Sequence, residues 1–354
     1  MLLLLFIYIL ICNSFKHPVK TMNLPGKKHP LPLYWKISKT SSITRNPQKI
    51  ILDGEPICIY RNNDNTVVAI SDVCLHRGAS LSQGKRLPNN CIQCPYHGWE
   101  YKEGVVNNIP GCPEKKPRKI GVPRYSTYEV NDDVYIQPIQ NTNSSVIREI
   151  YNESSIYVPP EAKNNNFTRI SGSKHISHPA SLITENVLDM MHISFVHSFG
   201  NTMSPVPFDI IYKDINEYSG KTLFHYTAGP TSIASILGNE KFVTVENEFY
   251  LPDTTVTRVK ANDMIIKTIV THCRPINDNE SLLNYDLYRN FLKAPVFDTL
   301  FNQQMELTLK EDISILDKLY EEYSNGILHT KFDITQLKYR NKKKNLAKLL
   351  SKRS

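Results

Sequence analysis

Two short motifs, Cys74-Leu75-His76 and Cys94-Pro95-Tyr96-His97, with 17 residues between His76 and Cys94, constrain this chain more than any other feature. Each offers one thiolate and one imidazole, so four metal-binding side chains come from two loops that must be held side by side. Cys₂His₂ suits tetrahedral Zn²⁺, but zinc sites usually pair like with like, Cys-x₂₋₄-Cys against His-x₃₋₅-His. The mixed spacing instead suits a two-iron, two-sulfide cluster in which two Cys hold one iron and two His the other.

The flanks favour the cluster: Cys74-Leu75-His76-Arg77-Gly78 and Cys94-Pro95-Tyr96-His97-Gly98-Trp99 resemble the two ligand loops of Rieske domains. Around them, runs such as Pro56–Tyr60, Thr66–Ile70 and Asp133–Ile136 alternate with turn clusters such as Asn62-Asn63-Asp64-Asn65. This predicts a small all-β unit over 28–140 from which the loops protrude. Asn141-Thr142-Asn143-Ser144-Ser145 reads as a linker. The chain, at 354 residues, is long enough for a second core, expected over 141–337. Helical spacing over Ser181–His197 is followed by strands between Phe208 and Phe291 and a helix over Pro295–Glu322, predicting an antiparallel sheet packed on a C-terminal helix.

A second metal centre is legible there. Asp189 and His192 lie three apart, on one face of a helix. His192 and His197 lie five apart, about 140° round, so both reach one ion only if the helix ends or distorts after His192. Ile193 and Ser194 predict that break. Two neutral imidazoles with one carboxylate suit Fe(II) and leave coordination positions open. Phe301, Met305, Leu309, Leu316 and Leu319 trace an apolar stripe on which Asp312 falls, while Glu311 and Asp317 point away from it. An acid on an apolar face is costly unless it is paired or bound to metal, which makes Asp312 the expected third ligand.

From about Leu31 onward the chain resembles an α-subunit of the Rieske non-haem iron oxygenases, the superfamily of aromatic-ring-hydroxylating dioxygenases and pheophorbide a oxygenase-like enzymes. The pattern Glu185-Asn186-x-x-Asp189-x-x-His192-x₄-His197 is close to the family's own. The resemblance implies an α+β fold: an N-terminal all-β Rieske [2Fe–2S] domain and a C-terminal helix-grip (START-like) catalytic domain with an antiparallel sheet. It implies a cluster on Cys74, His76, Cys94 and His97 and a mononuclear Fe(II) on His192, His197 and Asp312. Electrons would come from NAD(P)H through a separate reductase or ferredoxin. O₂ and a small organic substrate would be joined in hydroxylation, demethylation or desaturation, and cis-dihydroxylation would use the same ligands. A head-to-tail homotrimer would set one subunit's cluster beside the next subunit's iron, with Asp189 bridging His76 or His97 to His192 across the interface. Arg289-Asn290-Phe291 and Glu311-Asp312 resemble the branch related to pheophorbide oxygenases and sterol desaturases, which acts on larger or membrane-derived substrates. The Cys-x-x-Cys that some plastid members carry near the C-terminus is missing, which disfavours a plastid tetrapyrrole enzyme. The alternatives are an electron-transfer protein carrying only the cluster, against which the length after Gln140 argues, and a zinc-stabilised interaction module. Phe195, Phe199, Met203, Phe224 and Tyr226 are candidate pocket residues, by default core.

The net charge of +8 equals the charge of the segment 338–354, whose Lys338, Arg340, Lys342, Lys343, Lys344, Lys348, Lys352 and Arg353 have no acid among them. The rest is near neutral, so no nucleic-acid footprint is present, and 338–354 is expected to be a basic tail or frayed helix. Cys91 is expected to be a small buried residue, because Cys94 is needed as a ligand. Free thiols imply a reducing, cytoplasmic setting. Met1–Cys12 is almost wholly apolar but short for a membrane span. Residues 1–21 are read as a leader or anchor giving membrane association, or as absent if translation starts at Met22, with export least favoured.

Overall fold

The computed structural model describes residues 33–114, 120–138, 156–232, 235, 241–261, 264–320 and 324–351. The apolar leader, the segment Asn141–Ser145 and residues 352–354 lie outside the described residues. The chain divides into two compact units, Ile37–Gln140 and, with Leu33–Lys36, Asn141–Ser354.

The first unit is all β. Its strands are β1 (Trp35–Lys39), β2 (Gln48–Leu52), β3 (Glu55–Arg61), β4 (Val67–Ser71), β5 (Lys85–Arg86), β6 (Cys91–Gln93), β7 (Glu100–Lys102), β8 (Val105–Asn108), β9 (Arg124–Val130) and β10 (Asp133–Pro138). Six form a sheet in the order β1-β10-β9-β4-β3-β2, and β5-β6-β7-β8 form a second, inserted in sequence between β4 and β9. Tyr60, Val68, Ile70, Ile92, Tyr101 and Val106 close one core around Cys74 and Cys94. The first ligand loop leaves the end of β4, and the second joins β6 to β7. Cys91 is fully buried on β6, and the six described cysteines are free thiols.

The second unit is built on a seven-stranded antiparallel sheet: β11 (Thr168–Ile176), β12 (Phe208–Asn216), β13 (Ser219–Thr227), β14 (Phe242–Tyr250), β15 (Thr254–Ala261), β16 (Met264–Asn277) and β17 (Glu280–Arg289). The order is β11-β17-β16-β15-β14-β13-β12. After β11 come α1 (Ala180–Leu188) and the single turn α2 (Ile193–Val196); after β17 come α3 (Asp298–Leu316) and α4 (Ile334–Ser351). Helical spacing of four, four and seven puts Phe301, Met305, Leu309 and Leu316 on one side of α3, buried against Ile170, Leu283, Tyr285 and Leu287 of the sheet and Ile183 of α1. This is the sheet-and-helix assembly the pattern implied.

Three expectations are corrected. The expected C-terminal helix stops at Leu316, so Leu319 is 46% exposed and not part of the stripe. The expected break after His192 comes earlier: α1 ends at Leu188, and Asp189 is already extended (φ −70°, ψ 128°). The Asp189 carboxylate takes hydrogen bonds from the Met191 N–H (2.7 Å) and the His192 N–H (3.4 Å), an Asx-type turn that competes with further helix. The basic segment is no separate tail, because α4 runs unbroken through Leu337 and Lys338. Tyr339 and Leu346, seven apart, are buried, with Tyr339 edge-on to Phe249. Three of its cations are paired: Arg340 with Glu185 of α1, Lys342 with Asp214 at 3.0 Å and Lys343 with Asp253 at 2.6 Å.

Truncating the stripe should cost what a core cavity costs. Leu309→Ala is expected to lower stability by about 2–5 kcal/mol, while exposed Leu319→Ala should stay within about 0.5 kcal/mol. Urea unfolding of both variants checks the contrast.

Candidate metal centres

The two ligand loops of the first unit are built alike. The Gly78 N–H donates to the Cys74 carbonyl (2.8 Å) and the Cys74 N–H to the Ala79 carbonyl (2.9 Å). The Gly98 N–H donates to the Cys94 carbonyl (3.1 Å) and the Cys94 N–H to the Trp99 carbonyl (2.8 Å). Gly78 and Gly98 sit at φ +70° and +71°, a left-handed turn that an L side chain resists. The turns bring His76 and His97 together with ring centroids 4.5 Å apart, and His76 stacks flat on Trp99 at 5.0 Å.

Both cysteines are buried, and burial pushes the Cys74 thiol up while Tyr101 opposes it. The Tyr101 oxygen lies 3.1 Å from the Leu75 nitrogen and 3.1 Å from Cys74 Sγ. Because it accepts from the Leu75 N–H, its own proton is free to point at the sulfur. His76 Nδ1 is buried without a hydrogen-bond partner, as a ring nitrogen reserved for a metal would be. The quartet offers the two-Cys, two-His donor set that holds a two-iron cluster.

In the second unit the donor atoms of His192, His197 and Asp312 all lie within 4.8 Å of one another. The turn at Asp189 makes this possible, since His192 and His197 bracket α2 and no longer share one helix. His192 Nδ1 is 2.9 Å from the Asp189 carbonyl oxygen. A carbonyl only accepts, so Nδ1 carries the proton and Nε2 is bare. His197 Nδ1 is 3.0 Å from Glu311 Oε2, which assigns the same tautomer. The two Nε2 atoms then face each other at 3.1 Å, with Asp312 Oδ1 3.5 and 3.6 Å from them. Two lone pairs and a carboxylate aimed at one point repel unless a cation lies between them, so the donor set fits a divalent metal. Burial and His197 push His192 down to about 3, and burial lowers His197 against the pull of Glu311. Burial, Glu311 and Asp189 push Asp312 up to about 7.

Glu311, expected to point away, is corrected: it also accepts from the Ser198 N–H at 3.2 Å. The chain from His197 to Ser198 lies across α3, so it meets adjacent positions 311 and 312 on the helix. Asp189 acts on the His192 ring through its backbone carbonyl, and its carboxylate holds the turn. Of the candidate pocket residues, Phe199 stacks on His197 at 4.8 Å. Phe224 and Tyr226 are buried beside Met190, whereas Phe195 and Met203 are 61% and 94% exposed. Gly200 and Gly229 have no room for a side chain, since a Cβ would meet the Ile193 oxygen at 2.4 Å and the Phe199 oxygen at 2.3 Å. This close approach holds Phe199 over the imidazole.

Two family models match the chain: a Rieske [2Fe-2S] domain over residues 34–126 and a vanillate O-demethylase oxygenase C-terminal domain over residues 176–349. Similar sequences include the toluene-4-sulfonate monooxygenase system iron-sulfur subunit TsaM1 of Comamonas testosteroni, 30% identical over 41% of this chain and 39% of that protein. The cholesterol 7-desaturase nvd of Xenopus laevis is 28% identical over 43% of this chain and 33% of its own. Each match thus spans well under two thirds of the relative's length. A crystal structure of dicamba monooxygenase bound to dicamba superposes with a TM-score of 0.75 at 19% identity, covering 91% of this chain and 99% of that one, which shows a shared fold.

Two outcomes follow from the geometry. Tyr101→Phe should lower the cluster's reduction potential by on the order of tens of millivolts, because a hydrogen bond to sulfur stabilises the more negative, reduced form. Redox titration followed by EPR reads the shift. Asp312 must give up a proton to bind metal, and its metal-free value near 7 lies above the usual 3.8. Cation affinity should therefore fall below pH 7 by up to about tenfold per unit. The sign for folding is the reverse: the metal-free protein loses stability as pH rises from the usual carboxylate range to about 7. Co(II) titrations of protein stripped of its mononuclear metal check the first limb, which Asp312→Asn should abolish.

Proposed function

The chain belongs to the Rieske non-haem iron oxygenases, whose cofactors are a [2Fe–2S] cluster and a mononuclear iron, and on that premise we propose that it is the oxygenase component of a reductase-fed system. Its substrate is an organic molecule that is hydroxylated, demethylated or desaturated. The observation that carries this reading is the pair of bare Nε2 atoms 3.1 Å apart with Asp312 beside them.

The residues divide the work. Cys74, Cys94, His76 and His97 hold the cluster, with Tyr101 hydrogen-bonded to the Cys74 sulfur. The Asp189 carbonyl and Glu311 keep the His192 and His197 protons on Nδ1, so that both Nε2 atoms face inward, and Asp312 supplies the anionic donor. When bound, the cluster supplies electrons and the iron supplies O₂ activation. The domain matched over residues 176–349 argues against a cluster-only electron carrier. A separate reductase or ferredoxin is the expected donor, and the buried free thiols suit assembly in a reducing, cytoplasmic compartment. In a homotrimer Asp189 would also lie between its own His192 and a neighbour's cluster histidine, coupling the two centres.

Anaerobically purified full-length protein should contain about three irons and two acid-labile sulfides per chain, with a Rieske EPR signal on reduction. Asp312→Ala should lose about one iron and keep both sulfides. Unchanged iron in that variant, or zinc without sulfide, would sink the reading. Asp189→Asn keeps the carbonyl and should retain all the iron while slowing reductase-driven turnover by about tenfold or more.

A further inference from the structure

One cation beside the metal ligands has no part in the reading above. Lys267 lies on β16, two residues before Ile269. Side chains alternate along a strand, so Lys267 shares the face of Ile269 and Cys273, which packs on α1 and α3. Its Nζ is 5.7 Å from the centre of the Phe199 ring, and Phe199 stacks on His197 with only 16° between the planes. The ammonium and the ligand imidazole thus border the same ring, and the lysine's charge helps keep His197 neutral.

Among the described residues, the Lys267 ammonium forms no ion pair or hydrogen bond, although Lys174, Lys221, Lys260 and Lys343 of the same unit are each paired with a carboxylate. Burial lowers Lys267 to about 8, so it remains mostly charged at neutral pH. A half-buried ammonium without a counter-charge is costly, and an aromatic face offsets only part of that cost. An anion entering beside it would remove the cost.

We propose that Lys267 is a specificity-determining residue that binds the anionic group, a carboxylate or sulfonate, of the organic substrate and thereby sets its orientation toward His192, His197 and Asp312. The proposal rests on the metal-site reading for where the substrate reacts, but the binding of the anion does not need the metal.

The test compares matched acid and neutral ligands by calorimetry at pH 7, on the full-length protein both iron-loaded and chelator-stripped: benzoate against benzamide, 4-phenylbutyrate against its amide, and benzenesulfonate against benzenesulfonamide. The acid of at least one pair should bind about tenfold or more tighter than its neutral partner to wild type and to Lys267→Arg. The preference should fall to about threefold or less in Lys267→Met and Lys267→Gln, with iron and sulfide unchanged and an unfolding midpoint no lower than that of wild type. Two neutral replacements differing in polarity guard against one of them failing to fold. Equal affinities in every pair, binding of neither member of any pair, or an anion preference that survives both neutral variants would overturn the proposal. Wild-type protein that holds no mononuclear iron yet shows the Lys267-dependent preference would count against the metal-site reading alone, and normal iron without the preference against Lys267 alone.

Discussion

Two imidazole nitrogens 3.1 Å apart, each with its proton committed to the opposite side of the ring, form an arrangement that proteins avoid without a cation to share. Much of the second unit can be understood as the means of imposing it. The Asp189 carboxylate ends α1 by capping two N–H groups, and its carbonyl then takes the His192 ring proton. One residue therefore makes the turn and sets the tautomer. Glu311 does the second task for His197 and ties down Ser198. Close passage of Gly200 and Gly229 seats Phe199 on the ring. Asp312, next to Glu311 on the long helix, completes the donor set, and its burial among acids leaves it protonated near neutrality until a metal replaces the proton.

Such a strained donor set needs a stiff frame. The α3 stripe buries four large side chains against the sheet and α1. From the other side α4 braces α1, with Arg340 on Glu185 and with Tyr339 and Lys343 on Asp253. Asp253 and Tyr339 are both buried, where unpaired polar groups would be costly and a satisfied network rigidifies. Three cations of the last helix, Arg340, Lys342 and Lys343, are thus paired with carboxylates within the unit.

The first unit meets a similar demand differently. Its ligands come from two loops with the same hydrogen-bond pattern and the same left-handed glycine. A wall of Tyr60, Tyr101, Trp99 and aliphatic side chains keeps water from the sulfurs. Tyr101 ties the two loops together, since it lies on the strand after the second loop and hydrogen-bonds to the sulfur and backbone of the first.

The sequence by itself determined the ligand types and the core. Cys-x-His with Cys-x-x-His is a local spacing, and a period of 3.6 marks the buried side of α3 and the odd acid, Asp312, on it. These signals survive in one dimension because each depends on neighbours a few residues away. Tertiary structure alone decided the rest. Helical projection put Glu311 outside the site, but the loop through His197 and Ser198 crosses α3 and makes two successive positions functional. The helix broke at Asp189, before His192, because an Asx turn outcompeted helix, which propensity over Ile193 and Ser194 did not foretell. A run of unopposed basic residues reads as a tail until Glu185, Asp214 and Asp253, from 90 to 155 positions away in sequence, are folded against it. Long-range electrostatic partners leave no periodic trace, which is also why the unpaired state of Lys267 is visible only in the folded chain.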